Sequence, residues 1–315
     1  MIEGRVLRRF DPWHGSLCTC PTKYSLSPYT GCGHSCLYCY ISAYIRDPFR
    51  PRPKKDFLRN LSKDLTRVKP GQLVSMSNSS DPYTPPEEEL MLSRSALKLL
   101  LNAGMRVLVV TKSDLVVRDI DVLSKGNSAV SITVTTMDEG LASRLEPGAP
   151  SPEMRMKALE KVSSAGIPTI LRLDPIIPGL NDSKDSISEV IDRAREAGVK
   201  HVVSSTYKAR ADSLRRLLSS FPELESVRDL YRRGERVGSY MYLPRSMRKA
   251  ILGRVRSLVL EAGMTFAVCR EGMPELNSVG VCCDGSHLTF RGKLLLAPDP
   301  CGSDEIGGFG GGNCV

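Results

Sequence analysis

The 315-residue sequence has no apolar run approaching the roughly 18 residues that a membrane helix needs. Its first residues, MIEGRVLRRFDPWHG, hold no apolar segment of the secretory kind. The chain is therefore expected to be cytoplasmic, with no membrane partner. There is no long internal repeat beyond an alternation of strand and helix patterns. The only low-complexity stretch is a tail whose residues 307–312 are five Gly and one Phe. Such a segment has too little to bury to order by itself. Cysteine is absent from Tyr40 to Val268, yet the chain has 10 of them. Cys18, Cys20, Cys32, Cys36 and Cys39 lie near one end, and Cys269, Cys282, Cys283, Cys301 and Cys314 near the other. Cytosolic thiols are kept reduced, so clustered cysteines point to metal or redox chemistry rather than to a disulfide framework.

What is present is ordinary for a globular protein: 41% hydrophobic and 25% charged residues, which excludes wholesale disorder. The net charge of +9 is uneven. Residues 1–70 and 205–256 each carry 13 Lys+Arg against 5 Asp+Glu, while the rest of the chain is mildly acidic. Two basic blocks of this kind either attract phosphate backbones, making DNA or RNA a candidate partner, or form a solvated surface.

The middle of the chain alternates buried-strand and helix patterns. Strands are expected at 72–77, 105–112, 129–136, 168–174 and 201–207, after a first strand within 23–31. Helices are expected at 87–104, 151–166 and 185–198, with Ser151 as N-cap, Pro152 in the first turn and Gly166 at the end. Six β/α units are fewer than the eight of a closed barrel. The predicted fold is α/β, a partial (β/α)6 barrel, with a Cys-rich C-terminal extension. The predicted divisions are an N-terminal extension (1–24), the barrel core (25–207), a basic helical region (208–256) and a Cys-rich region with a Gly-rich tail (257–315). Short strands are expected in the last of these at TFAVC, HLTF and KLLLAP. In parallel sheets ligands sit at the C-terminal strand ends.

Cys32, Cys36 and Cys39 form a C-x3-C-x2-C spacing just past the first strand. Three thiolates so close can hold three irons of a [4Fe-4S] cluster and leave the fourth open to a small molecule. A structural zinc would need a fourth ligand, from His34, Cys18 or Cys20.

This motif is followed in order by SNSSDPYTPPEEEL (77–90), VVTKSDLVVRDIDVL (109–123), VSITVTTMDE (130–139), LEPGAPSPEMRMKAL (145–159) and LRLDPIIPGLND (171–182). Together they resemble the radical S-adenosylmethionine superfamily, and within it the spore photoproduct lyase-like (DNA-repair-photolyase-like) branch. The resemblance covers about 25–205. It implies an enzyme that binds S-adenosylmethionine at the open iron of a [4Fe-4S] cluster on Cys32, Cys36 and Cys39. A low-potential electron donor then drives cleavage to a 5′-deoxyadenosyl radical, which takes hydrogen from a substrate. By the same resemblance the run Ser77–Asp81, with Asn78, Ser80 and Asp81, faces the cofactor ammonium. Lys112, beside Ser113, faces its carboxylate. Thr133 or Thr135 bonds the ribose, and Tyr38 lies near the adenine. Asp174, Tyr207 and Lys208 end strands and are substrate-facing or capping. Arg118, Asp119 and Asp121 either orient the barrel mouth or pair with one another.

One departure matters. The lyases place a hydrogen-donating Cys in the loop after the second strand, where this chain has Asn78. Cys269, Cys282, Cys283, Cys301 and Cys314 are candidates for an auxiliary iron–sulfur cluster or a zinc site with or without His287, and Cys314 for a thiol donor on its tail. A nucleic-acid base, in repair or modification, is the expected substrate. A protein, peptide or small molecule is the alternative, and a non-catalytic metal-bearing nucleic-acid-binding protein is the reading from another class. Whether the subclass is lyase, transferase or oxidoreductase stays open.

Overall fold

The structure, a computed structural model, describes residues 3–10, 17–76 and 79–290. Its centre is one eight-stranded sheet: β1 (Arg8–Arg9), β2 (Tyr24–Leu26), β3 (Leu73–Met76), β4 (Arg106–Thr111), β5 (Ser128–Thr133), β6 (Thr169–Ile176), β7 (His201–Thr206) and β8 (Thr265–Val268). The strands stand side by side in chain order. β1 runs antiparallel to β2, with Arg8 opposite Ser25. The pairs from β2 to β8 are all parallel, with Val74 opposite Val107, Val130 opposite Thr169 and Val203 opposite Ala267. Every residue of β3, β5 and β7 is buried, as strands covered on both faces require. β1 and β8 are the two sheet edges, so the barrel is partial.

Helices return the chain between strands: α1 (Phe57–Leu65), α2 (Leu92–Asn102), α3 (Pro152–Ser164), α4 (Lys184–Glu196), α5 (Ala211–Ser220) and α6 (Arg245–Glu261). Ser151 caps α3 by accepting from the Met154 N–H at 3.3 Å, and Ser183 caps α4 through Ser186 at 3.1 Å. Their apolar stripes pack on the outer sheet face and form the main core.

Three local expectations are corrected. The helix expected over 87–104 breaks at Met91, whose φ is +48°. The buried Glu87 carboxylate turns there and accepts from the Ser93 and Arg94 N–H groups at 2.8 and 3.3 Å, so it caps α2. The first strand splits at Pro28: Tyr24–Leu26 joins the sheet, while Tyr29–Thr30 pairs with Arg52–Pro53. HLTF forms a 3-10 turn, Ser286–Thr289, not a strand. TFAVC does form a strand, β8, beside β7. KLLLAP lies outside the described residues.

That 3-10 turn fills the inner side of the sheet near its N-terminal end. Leu73, Leu108, Ala129, Ile170 and Val203 form a second apolar cluster there, with Cys269 and Leu288 packed on it. Arg106 ties the turn down, donating to Thr289 Oγ1 at 3.0 Å and the Ser286 carbonyl at 3.2 Å while lying over the Phe290 ring. Gly285 is required at its start. Its φ is +79°, and a Cβ would stand 2.7 Å from Ile170 Cδ1.

Candidate functional site

Successive strands present alternate residues to the inside. Above the apolar floor each strand therefore offers a residue two or four positions later: Ser75, Val110 and Lys112, Thr133, Arg172 and Asp174. These line a cavity of about 280 Å³ at the C-terminal strand ends. The inner face thus runs from apolar floor to polar mouth. The cavity also receives Cys32, Cys36 and Cys39 from the loop after β2.

That loop is held from all sides. Cys32 N–H donates to the Pro48 carbonyl at 2.8 Å, Gly33 N–H to Thr84 Oγ1 at 2.9 Å, and Leu37 N–H to the Leu145 carbonyl at 3.0 Å. Gly148 N–H donates to the His34 carbonyl at 3.0 Å. Gly148 has to be glycine, because a Cβ would lie 2.1 Å from the Gly33 oxygen. Arg216 on α5 donates to the Leu37 and Cys39 carbonyls at 3.3 and 2.8 Å and stacks on Phe49. Residues of the two basic blocks therefore meet beside the cysteine loop.

Beneath the loop, the Tyr38 hydroxyl donates to the buried Glu146, which pairs with the fully buried Arg155 at 2.5 Å. Burial pushes the Glu146 carboxyl up, but Arg155 and then Lys112 hold it below its ordinary range. His34 faces Asp81 at 3.3 Å. Burial pulls the imidazole down, yet the Asp81 carboxylate lifts it to about 10.

The sequence-predicted residues separate clearly. Cys32, Cys36, Cys39, Tyr38, Asp81, Lys112 and Thr133 all line the cavity. Asp81 is tied by Thr111 Oγ1 (2.7 Å), Lys112 N–H (2.8 Å) and Tyr83 N–H (2.9 Å), so its carboxylate joins the loop after β3 to the end of β4. Ser79 lines the cavity and Ser80 is buried beside it. Thr133 reaches the cavity and Thr135 does not. Asp174 pairs with Arg172 at 2.9 Å and accepts from Ser205 at 2.5 Å. Lys208 meets Glu271 at 3.3 Å, and the Tyr207 hydroxyl bonds Ser213 at 2.6 Å. Arg118 pairs with Glu87 at 2.8 Å, while Asp119 and Asp121 pair with Arg94 at 2.9 and 2.7 Å, away from the cavity. Ser77, Asn78, Cys301 and Cys314 lie outside the described residues.

Sequence reasoning missed Arg172, Arg216, Arg270 and the Glu146–Arg155 pair. Arg172 alone had a signal: it stands two residues after Ile170 in a strand whose inner face starts apolar. It also missed that the two cysteine groups meet. Cys20 and Cys269 both line the cavity, and Cys283 Sγ lies 3.4 Å from Cys20 Sγ.

The donor set fits a cluster that keeps one coordination position open. Three thiols face one cavity, and the Lys112 ammonium makes no salt bridge among the described residues and lies 5.5 Å from the Tyr38 ring centroid. An unpaired ammonium at a polar cavity suits an anionic group of a ligand. Among the described residues no three His, Cys, Asp or Glu side chains already converge on a metal position, these three cysteines included. Among the described residues no helix is long and apolar enough to cross a membrane.

Comparison with known proteins gives a consistent result. The profile of the Radical SAM superfamily matches residues 26–191, more than half of the chain. An uncharacterized protein of Mycobacterium tuberculosis is 26% identical over 260 residues, 76% of this chain and 74% of that protein. The radical SAM Nalpha-GlyT isomerase of Pseudomonas phage M6 is 23% identical over 294 residues, 89% of this chain and 59% of the isomerase. A solved spore photoproduct lyase variant, with bound S-adenosylmethionine and dinucleoside spore photoproduct, shares the fold with a TM-score of 0.64 at 18% identity. The match covers 78% of this chain and 75% of that one.

Proposed function

The chain belongs to the radical SAM superfamily, and on that premise we propose that its cavity holds a [4Fe-4S] cluster on Cys32, Cys36 and Cys39 together with S-adenosylmethionine, for radical chemistry on a nucleic-acid base. The reading rests on one observation: three thiols and an ion-pair-free Lys112 face the same cavity at the C-terminal ends of parallel strands. When bound, cluster and cofactor supply reductive cleavage to a 5′-deoxyadenosyl radical that abstracts hydrogen from the substrate. The family assignment makes the chain an enzyme rather than a non-catalytic binding module.

The residues divide the remaining work. Lys112 binds the cofactor carboxylate. Ser79 and Ser80, with Asn78 of the same run, offer oxygens to its ammonium. Thr133 bonds the ribose, and Tyr38, held by Glu146, flanks the adenine. Asp81 acts as a positioning residue, since its carboxylate is committed to Thr111, Tyr83, Lys112 N–H and His34. The apolar floor and the docked turn at Ser286–Thr289 keep water from the reacting atoms.

For the substrate, cationic Arg172, Lys208 and Arg270 line the cavity beside Tyr40, Tyr207 and Tyr240, and the two basic blocks meet at Arg216 and Phe49. Cations and aromatic rings together suit a phosphate backbone carrying bases. The likeness to a lyase solved with a dinucleoside photoproduct points the same way. We place the enzyme in the cytosol with a low-potential electron donor.

Anaerobic reconstitution is expected to load about four irons per chain, and dithionite with S-adenosylmethionine to release 5′-deoxyadenosine. A reconstituted protein that releases none refutes the reading. Nucleic-acid binding should weaken steeply with salt, and deuterium should pass from a labelled base into 5′-deoxyadenosine. Binding that is absent or indifferent to salt moves the substrate to a protein, peptide or small molecule.

A further inference from the structure

Four cysteines outside the cluster motif lie near one another, without already framing a metal position, although they come from opposite ends of the chain. Cys18 and Cys20 precede β2, Cys269 directly follows β8, and Cys283 lies just before the turn that fills the floor. The Cys283 thiol donates to Cys20 at 3.4 Å, and Cys18, two residues before Cys20, lies within electrostatic reach of it. Cys269 stands close enough to Cys18, Cys20 and Cys283 for their charges to interact. None of the four is in a disulfide. Cys282, the neighbour of Cys283, lies within electrostatic reach of Arg106.

We propose that Cys18, Cys20, Cys269 and Cys283 form a second metal centre, a mononuclear tetrathiolate site of the zinc type, separate from Cys32, Cys36 and Cys39. The sulfur separation favours ligands sharing one metal ion over the corners of a cuboidal cluster. A tetrahedral zinc with bonds of about 2.3 Å holds its sulfurs about 3.8 Å apart. The 3.4 Å between Cys20 and Cys283 needs only a small opening to reach that value. A cuboidal cluster gives each thiolate its own iron corner and spreads the sulfurs well beyond it. Cys18-x-Cys20 supplies a chelating pair, and the remaining two ligands come from segments that the fold has already delivered.

The surroundings suit four thiolates. Arg172 lines the cavity with Cys269, within electrostatic reach of it, and Lys23 forms a buried ion pair with Asp284, the residue after Cys283. Outer groups of this kind orient ligands and offset their charge. The role follows from position. β1 and β8 are unpaired sheet edges, and the site joins the segment before β2 to the end of β8 and to the segment that fills the floor. One ion there staples the seam of the partial barrel, in the way closed four-ligand zinc sites stabilise folds.

The test is metal analysis of the full-length protein purified anaerobically. Wild type and a Cys32→Ala, Cys36→Ala, Cys39→Ala triple variant are each expected to hold about one zinc per chain, the triple variant without iron. Cys20→Ser and Cys283→Ser are expected to lose at least ~10-fold in zinc while still loading iron on reconstitution. Cobalt(II) added to metal-depleted wild type reports the site without any substitution, through thiolate charge-transfer and intense visible bands of a tetrahedral complex. Wild type with neither zinc nor those bands overturns the proposal. So does iron with sulfide retained in the triple variant, or a Cys20–Cys283 disulfide found by thiol mapping. Loss of iron chemistry with zinc intact refutes the proposed function instead and leaves this site standing.

Discussion

Gly148→Ala separates the seating of the cysteine loop from general stability. A Cβ at 148 stands 2.1 Å from the Gly33 carbonyl oxygen and 3.1 Å from His34 Cα. An ordinary carbon–oxygen contact is about 3.3 Å or more, so the two backbone segments must part by roughly 1 Å. That separation stretches the 3.0 Å bond from Gly148 N–H to the His34 carbonyl. Crowding of this kind costs about 1–3 kcal/mol, and the weakened hydrogen bond adds about 1. At roughly 2–4 °C per kcal/mol for a large domain, the melting temperature should fall on the order of 10 °C. Because Gly33 and His34 sit between the first two cysteines, iron and sulfide loading should fall as well. Gly253→Ala is the matched control. It lies inside α6 with nothing within 4 Å of the new Cβ, so it should gain about 0.5–1 kcal/mol. Calorimetric melting with iron and sulfide analysis reads both variants. If Gly148→Ala melts with wild type and loads full iron, the docking of this loop on residues 145–148 is not what seats it.

Other substitutions probe other links. Lys112→Gln should weaken S-adenosylmethionine binding by about 10–100-fold, the worth of a charge-assisted contact, by calorimetric titration of reconstituted protein; unchanged affinity removes Lys112 from the cofactor site. Glu271→Ala takes one of two carboxylates from the fully buried Arg248, which it meets at 2.9 Å, leaving Glu235, and frees Thr206 N–H and Lys208. It should cost about 3–5 kcal/mol in denaturant unfolding, and a loss under 1 kcal/mol contradicts the network. Asp64 accepts from Arg5, Val6 and Leu7 N–H groups at 3.0, 2.8 and 3.0 Å. Burial pushes that carboxyl up, but these bonds leave it below its ordinary value. A depressed folded-state value gives stability that is present above the unfolded value, near 3.9, and lost as pH falls through the folded one. Wild type should therefore exceed Asp64→Asn at pH 7, and the gap should close toward pH 3. A gap that does not change with pH rejects the charge-based account.

The parallel core is legible because it obeys a simple rule: strands covered on both faces are written as β-branched and aliphatic runs, and helices end at Gly104, Gly166 and Gly198. The motif cysteines are legible because three thiols fall within eight residues. What escapes is decided by contacts between distant segments. Nothing local marks Glu87 as the group that interrupts the helix at Met91, since its partners are Tyr29, Arg118 and the head of α2. Cys18 and Cys20 are ambiguous in the sequence because their neighbours are 269 and 283. The C-terminal cysteines are likewise sorted only once the chain is folded, with the Cys283 thiol 3.4 Å from Cys20.

The buried ion pair of Lys23 with Asp284 joins residues 261 positions apart. During synthesis Lys23 emerges early and has no partner until nearly the whole chain has followed. Most of the seat for the cysteine loop is in place sooner, once Gly148 has emerged, and Arg216 completes it. A growing chain can therefore shape the loop well before its reaction chamber is sealed. A chain that stops before Asp284 keeps a lysine that it cannot pair in the cavity wall.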